Sequence, residues 1–77
     1  MNKRAEIVIT GQVQGVLYRH GAKKIVEELG ITGWVKNEPE GSVKIVAEGE
    51  EEKLQKFIEW CRKGTEWARV DGVEIKW

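Results

Sequence analysis

Near its amino terminus the chain reads Gly11-Gln12-Val13-Gln14-Gly15-Val16-Leu17-Tyr18-Arg19. An alternating segment typical of a β-strand precedes this stretch, and a segment with the apolar period of an α-helix follows it. Backbone N–H groups can converge where a glycine-containing loop meets a helix N-terminus, which carries about half a positive charge. The arginine adds a full charge and a planar set of donors. The stretch therefore predicts a strand–loop–helix junction that can hold a small anion.

The segments on either side of this junction predict the order β-α-β-β-α-β. We predict strands over 5–10, 31–36 and 43–48 and a last strand ending at 77, with helices over 18–29 and from 50 to the residue before Gly64. Gly30 is placed to end the first helix in a left-handed conformation. A turn over 38–41, which contains Pro39, should join the second and third strands as an antiparallel hairpin.

Each predicted helix has one apolar stripe, and each predicted strand has one strongly apolar face. The stripes are Ala22, Ile25, Val26 and Leu29 in the first helix, and Leu54, Phe57, Ile58 and Cys61 in the second. A two-layer sandwich satisfies this pattern, with both helices on one face of an antiparallel sheet. We therefore predict an α+β, ferredoxin-like fold in which the first and third strands pair centrally and the second flanks the third.

Composition limits the classes of function. The 77 residues should form a single domain, 1–77, and so short a chain should commit most of its apolar positions to one core. Thirteen basic and thirteen acidic residues cancel, so the long-range field that attracts nucleic acid or anionic membranes is missing. One cysteine excludes an internal disulfide and an all-cysteine metal site. No apolar run is long enough to span a membrane. We expect a cytoplasmic monomer that binds neither nucleic acid nor membrane.

Two polar residues are candidates for chemistry. Arg19 is either a solvated charge in the first turn of a helix or, beside converging N–H groups, a ligand for two oxygens of a phosphate. Asn37 is either an ordinary residue before a turn or an amide that orients a water molecule by donating one hydrogen bond and accepting another. His20 could act as a general acid or base, but it follows Arg19 by about 100° around the helix, which favours a surface role or a supporting role behind the groups that contact the ligand. Cys61 completes a core stripe and should be buried.

Several motifs together resemble one family. After the opening stretch come Gly30-Ile31, Gly33-Trp34-Val35-Lys36-Asn37, Gly41-Ser42-Val43 and Ala68-Arg69-Val70. At this spacing, over nearly the whole chain, they resemble the acylphosphatases. The resemblance implies a ferredoxin-like fold and the hydrolysis of acyl phosphates to carboxylate and inorganic phosphate, with no metal and no cofactor. It also implies a small-molecule substrate.

The resemblance assigns roles to particular positions. Arg19 matches the family's phosphate-binding arginine, and Asn37 matches its water-positioning asparagine. The backbone amides that match its phosphate cradle belong to Gln14, Gly15, Val16, Leu17, Tyr18 and Arg19. Tyr18 falls at an aromatic position expected to pack and not to react. There is one departure, because acylphosphatases usually continue past the strand ending at Trp77 to a short final strand. We therefore expect the second strand to keep an exposed edge.

Other classes of protein fit the sequence less well. A non-catalytic phosphate-binding or regulatory module, free or once part of a larger carbamoyl-phosphate-handling protein, is the first alternative. A ferredoxin-like RNA binder would need stacking aromatics on its central strands, and the segments 5–10 and 43–48 contain none. A metal carrier of this fold would need paired cysteines. The enzyme is favoured over the module, and both are favoured over nucleic-acid binding.

Overall fold

Two helices pack on one face of a four-stranded sheet in the computed structural model, which describes residues 2–77. The elements are β1 (Asn2–Gln12), α1 (Tyr18–Leu29), β2 (Thr32–Asn37), β3 (Val43–Glu50), α2 (Glu51–Lys63) and β4 (Arg69–Lys76). The strands lie in the order β2-β3-β1-β4, and every neighbouring pair is antiparallel. The predicted ferredoxin-like α+β sandwich is confirmed.

Strand β1 lies at the centre of the sheet. Ile7 pairs with Ile45 of β3 on one side and with Ile75 of β4 on the other. Strand β2 flanks β3, in a register that ends with Asn37 opposite Val43. Side chains of directly paired residues point to the same face of a sheet. Asn37 therefore shares the face of the buried Val43, which is the face that the helices cover.

Some element boundaries differ from the sequence prediction, and hydrogen bonding explains the differences. Strands β1 and β3 are longer than predicted because their ladder continues as far as Asn2 opposite Glu50. Helix α2 consequently begins one residue later, at Glu51. Strand β2 also begins one residue later because the N–H of Ile31 bonds back to the carbonyl of Val26, 3.2 Å away, closing the end of α1. Gly30 adopts the predicted left-handed conformation there.

The two apolar stripes are buried unequally. All four stripe residues of α2 are at most 3% exposed, including Cys61, as predicted. Of the α1 stripe only Ala22 is fully buried, whereas Ile25, Val26 and Leu29 are half-buried. These three side chains still pack against the core, so the expectation that most apolar positions join one core is confirmed, with the α1 stripe at the margin of that core. Helix α1 packs beside β2 at the edge of the sheet, and an open apolar groove of about 360 Å³, which Val26 helps to line, remains between helix and strand.

The outer side of β2 has no neighbouring strand among residues 2–77, in agreement with the exposed edge that we predicted. Within the same residues, neither helix combines the length and the apolar character that crossing a membrane requires.

Candidate active site

The topology brings the N-terminus of α1 and the end of β2 to the same edge of the sheet. Strands β1 and β2 both run antiparallel to β3, so they are parallel to each other and their carboxyl ends lie on the same side. Helix α1 begins just after β1 ends and returns across the sheet. Arg19, in its first turn, and Asn37, the last residue of β2, are therefore neighbours although 18 positions separate them in sequence.

The backbone before α1 leaves its first N–H groups free. Gly15 has φ 73° and Leu17 has φ 63°, both in the left-handed region. A residue other than glycine adopts this backbone conformation at a cost of about 1–3 kcal/mol, and such residues cluster at functional sites. Leu17 occupies the N-cap position, where no side chain of residues 2–77 accepts from the helix N–H groups. Those N–H groups and the positive end of the helix dipole are available to an anion.

Arg19 and Asn37 line the same depression, which has a volume of about 250 Å³. The complete lining is Val13, Gly15, Leu17, Tyr18, Arg19, His20 and Asn37. None of these residues is acidic, and no carboxylate in the described part of the chain pairs with Arg19. Arg19 and Asn37 are both exposed to solvent. The depression thus combines a free guanidinium, a free amide and a helix N-terminus, an arrangement suited to a tetrahedral anion and a water molecule.

The residues predicted from sequence are placed in different ways. Gly15, Leu17 and Tyr18 line the depression with Arg19, whereas Gln14 and Val16 do not. The Val16 side chain packs against the core instead. The Tyr18 side chain is 1% exposed and packs 5.1 Å from the ring of Trp60, centroid to centroid, as a packing role requires. His20 is exposed, as predicted, and also lines the depression.

The side chain of Gln14 joins the loop to the hairpin that carries Asn37. Its Nε2 donates to the carbonyl of Glu38, 2.7 Å away, and to the carbonyl of Ser42, 2.9 Å away. Two carbonyl acceptors determine which way the amide faces, since only its nitrogen can donate. Sequence reasoning considered only the backbone of Gln14. No local sequence pattern indicates this contact, because 24 and 28 positions separate Gln14 from its two partners.

The turn between β2 and β3 is itself well ordered by hydrogen bonds. The N–H of Glu38 donates to the carbonyl of Ser42, 2.8 Å away, and the N–H of Gly41 donates to the carbonyl of Glu38, 3.1 Å away. The hydroxyl of Ser42 donates to the carboxylate of Glu40. That hydrogen bond holds the pKa of the Glu40 carboxyl below its usual value. Asn37 is therefore followed by a stable turn and not by a loose connection.

A second side chain holds the loop from the opposite side. The Thr65 hydroxyl, in the connection after α2, donates to the carbonyl of Val16, 2.8 Å away. No local pattern in the sequence predicts this bond, because 49 positions separate the two residues. Within residues 2–77, no group of three or more His, Cys, Asp or Glu side chains is arranged to hold a metal ion.

Comparison with known proteins identifies the family. The acylphosphatase family model matches residues 5–77. An acylphosphatase of Methylococcus capsulatus is 46% identical over 74 residues, which span 96% of this chain and 80% of that protein. The chain belongs to the acylphosphatase family. The crystal structure of the Bacillus subtilis acylphosphatase superposes with a TM-score of 0.94 at 34% identity, covering 99% of this chain and 83% of that one. This acylphosphatase therefore hydrolyses acyl phosphates, releasing phosphate from a small-molecule substrate.

The same fold also occurs inside a larger protein. The crystal structure of full-length HypF in its phosphate- and nucleotide-bound form matches this acylphosphatase with a TM-score of 0.92 at 26% identity. The match covers 99% of this chain and 10% of HypF. This fold thus occurs both as most of a small protein and as a minor part of a large one.

Proposed function

We propose that a single domain hydrolyses acyl phosphates in the depression that Arg19 and Asn37 line at the N-terminus of α1. In this proposal the Arg19 guanidinium and the backbone amides of the loop from Gln14 to Arg19 bind the phosphoryl group. The Asn37 amide aligns a water molecule for in-line attack on phosphorus. The observation that carries the proposal is the meeting of Arg19 and Asn37 in one depression at a helix N-terminus.

The chemistry needs few groups because the leaving group is a good one. Acyl phosphate hydrolysis releases a carboxylate, whose conjugate acid has a pKa of about 4. No strong general acid is required to protonate it. Phosphoryl transfer passes through a loose transition state with charge spread over the phosphoryl oxygens, so positioning and electrostatic stabilisation supply most of the catalysis. Arg19 and the free N–H groups of α1 are the source of that stabilisation.

The attacking water must lose a proton, and in our proposal a phosphate oxygen of the substrate accepts it. The P–O bond to the carboxylate breaks as the bond to the water oxygen forms, and the products are a carboxylate and inorganic phosphate. The positive charge that a metal would supply comes here from Arg19 and the helix N-terminus. We therefore expect hydrolysis of benzoyl phosphate to continue at an undiminished rate in the presence of a chelator.

The test of Arg19 is the hydrolysis of benzoyl phosphate by Arg19→Lys and Arg19→Ala. We expect kcat/KM to fall by about 100- to 1000-fold in both variants, because lysine lacks the planar donors. The control is Arg62→Ala, which removes an exposed arginine from the last turn of α2. Near wild-type turnover of either Arg19 variant would overturn the role of Arg19.

The test of Asn37 separates rate from binding. In Asn37→Ala we expect kcat to fall by about 100-fold while the inhibition constant of inorganic phosphate changes little, since water alignment acts mainly on the rate. Thr32→Ala, an exposed polar residue at the other end of β2, is the matched control. A comparable loss of phosphate affinity in Asn37→Ala would show that Asn37 binds phosphate instead.

The first alternative from the sequence is a phosphate-binding or regulatory module without turnover, but the family and its acylphosphatase relatives support hydrolysis instead. Binding of inorganic phosphate without hydrolysis of any simple acyl phosphate would support the module. Titration calorimetry with inorganic phosphate, run beside the hydrolysis assay, distinguishes the two functions.

We also propose that the protein acts as a cytoplasmic monomer and does not bind nucleic acid. The formal net charge of zero gives no attraction for polyanions, and every residue assigned to the site belongs to one chain. Light scattering of the purified protein measures its molar mass and so tests whether it is a monomer. Binding of labelled RNA at low ionic strength would contradict the last part of the proposal.

A further inference from the structure

We propose that the side chain of Gln14 is a positioning residue that holds Asn37 at the correct distance from the phosphate-binding loop. The inference rests on the proposed function and deepens it. It concerns a side chain that does not line the depression and so does not act on substrate directly. Its action passes through the hairpin formed by β2, the turn and β3.

The geometry places one amide between the two halves of the site. Gln14 Nε2 donates to the carbonyls of Glu38 and Ser42, at 2.7 Å and 2.9 Å. These two residues lie on opposite sides of the turn and are bonded to each other through the Glu38 N–H and the Ser42 carbonyl. One of them, Glu38, directly follows Asn37 in the chain. A single side chain thus spans the gap from the loop to both sides of the turn next to Asn37.

The chemistry of the contact requires a donor with two N–H bonds. A primary amide nitrogen can serve two carbonyl oxygens at once, whereas a hydroxyl donates only one hydrogen bond and a carboxylate donates none. Gln14 is half-buried, so both bonds form where water competes less than at an open surface. Among residues 2–77, no other side chain of the loop bonds to this turn.

The consequence is a fixed separation between the groups that bind phosphate and the group that aligns water. Arg19 and the loop amides are positioned by β1 and α1, whereas Asn37 is positioned by the hairpin. Without Gln14, the turn can move relative to the loop even though each half keeps its own structure. A displacement of about 1 Å between reacting groups can lower a rate by about 100-fold.

The first experiment compares Gln14→Met with wild type. Methionine has a similar length but donates no hydrogen bond, so we expect kcat for benzoyl phosphate to fall by about tenfold or more. The inhibition constant of inorganic phosphate should change less than about threefold, because the cradle stays intact. A raised inhibition constant with unchanged kcat would overturn the proposal and place Gln14 in the cradle instead.

The second experiment uses Gln14→Glu, whose donor ability depends on pH. When ionised, its carboxylate has no hydrogen to donate to the two carbonyl oxygens that it faces. When protonated, it regains one O–H donor. A carboxyl has an ordinary pKa of about 4.3, and carbonyl oxygens opposite it favour the protonated form. The kcat of Gln14→Glu relative to wild type should therefore rise by about threefold or more between pH 7 and pH 4.5. The ratio for Gln14→Met should stay flat, and equal profiles for the two variants would overturn the proposal.

The third experiment asks whether Gln14 acts through Asn37. If it does, Gln14→Met should lower kcat less than about twofold when Asn37 is already alanine, because interacting sites are not additive. An equal loss in both backgrounds would refute the inference while leaving the role of Asn37 intact. If Asn37→Ala alone keeps full kcat, the proposed role of Asn37 is wrong. Failure of the inference about Gln14 and failure of the proposed function are therefore distinguishable. Urea unfolding of each variant verifies that the compared proteins are folded.

Discussion

The phenolic hydroxyl of Tyr18 donates a hydrogen bond to the backbone carbonyl of Cys61, 2.7 Å away across 43 positions of sequence. The bond connects the first turn of α1 to the last turns of α2 and is buried. Tyr18 immediately precedes Arg19, so the packing of the two helices is linked to the start of the candidate site. The Tyr18 side chain is therefore part of the packing between the two helices.

Replacing Tyr18 with phenylalanine tests that link. The variant keeps the ring packed near Trp60 but leaves the buried Cys61 carbonyl without its side-chain donor. We expect the free energy of unfolding to fall by about 1–3 kcal/mol, the usual cost of an unsatisfied buried acceptor. Urea denaturation measures it, with Trp67→Phe as the control because Trp67 is 62% exposed. Equal stability of Tyr18→Phe and wild type would show that the bond contributes nothing.

Thr65→Val removes the hydroxyl that holds the Val16 carbonyl and keeps the size of the side chain. We expect weaker phosphate binding, by about three- to tenfold in the inhibition constant, because one hydrogen bond that orders the loop contributes about 0.5–1.5 kcal/mol. The kcat should fall less, since Asn37 and its hairpin are untouched. Competitive inhibition by inorganic phosphate is the measurement. A variant with normal phosphate affinity would show that the loop keeps its shape without Thr65.

Gly33→Ala tests the close approach of β2 to β3. An added Cβ at Gly33 would lie 2.2 Å from the carbonyl oxygen of Val46 and 2.9 Å from the Cα of Ala47, and both are backbone atoms. Because backbone cannot turn aside as a side chain can, we expect a loss of about 2–3 kcal/mol in the free energy of unfolding. Thr32→Ala, at an exposed neighbouring position, should lose less than about 1 kcal/mol. Similar urea midpoints for the two variants would contradict the expectation.

Alkaline pH should destabilise the fold. Burial raises the pKa of the Cys61 thiol from its ordinary 9.0 to about 12, and burial raises the pKa of the Tyr18 phenol as well. The unfolded chain loses these protons at lower pH than the native protein does. The stabilisation is therefore complete below about pH 9 and is lost as the pH rises from there toward 12. We expect a lower urea midpoint at pH 10.5 than at pH 8.

The contribution of Cys61 to this pH dependence can be isolated. Cys61→Ala leaves a small cavity at any pH, so the comparison is the drop in stability between pH 8 and pH 10.5 and not the stability itself. That drop should be smaller in the variant than in wild type. The buried thiol should also react with a thiol reagent only after unfolding. An equal drop in both proteins would show that Cys61 does not contribute.

The order of elements and the fold class were predictable from sequence because both depend on local patterns. The α2 stripe from Leu54 to Cys61 repeats at helical spacing and is wholly buried, as predicted. The α1 stripe has the same spacing, yet Ile25, Val26 and Leu29 are half-buried. Periodicity states which face of a helix is apolar, but the neighbouring elements decide how much of that face is covered.

The amino-acid sequence by itself determined the glycine loop, the helix that begins at Tyr18 and the strand that ends at Asn37, because backbone preference and side-chain spacing act over a few residues. Only the tertiary structure decided that Arg19 and Asn37 line one depression. It also decided that Gln14 bonds across to the hairpin and that Thr65 holds the loop from the far side. These contacts depend on strand register and on the packing of helices against the sheet. Both arise from the whole chain at once, so no short stretch of residues contains them.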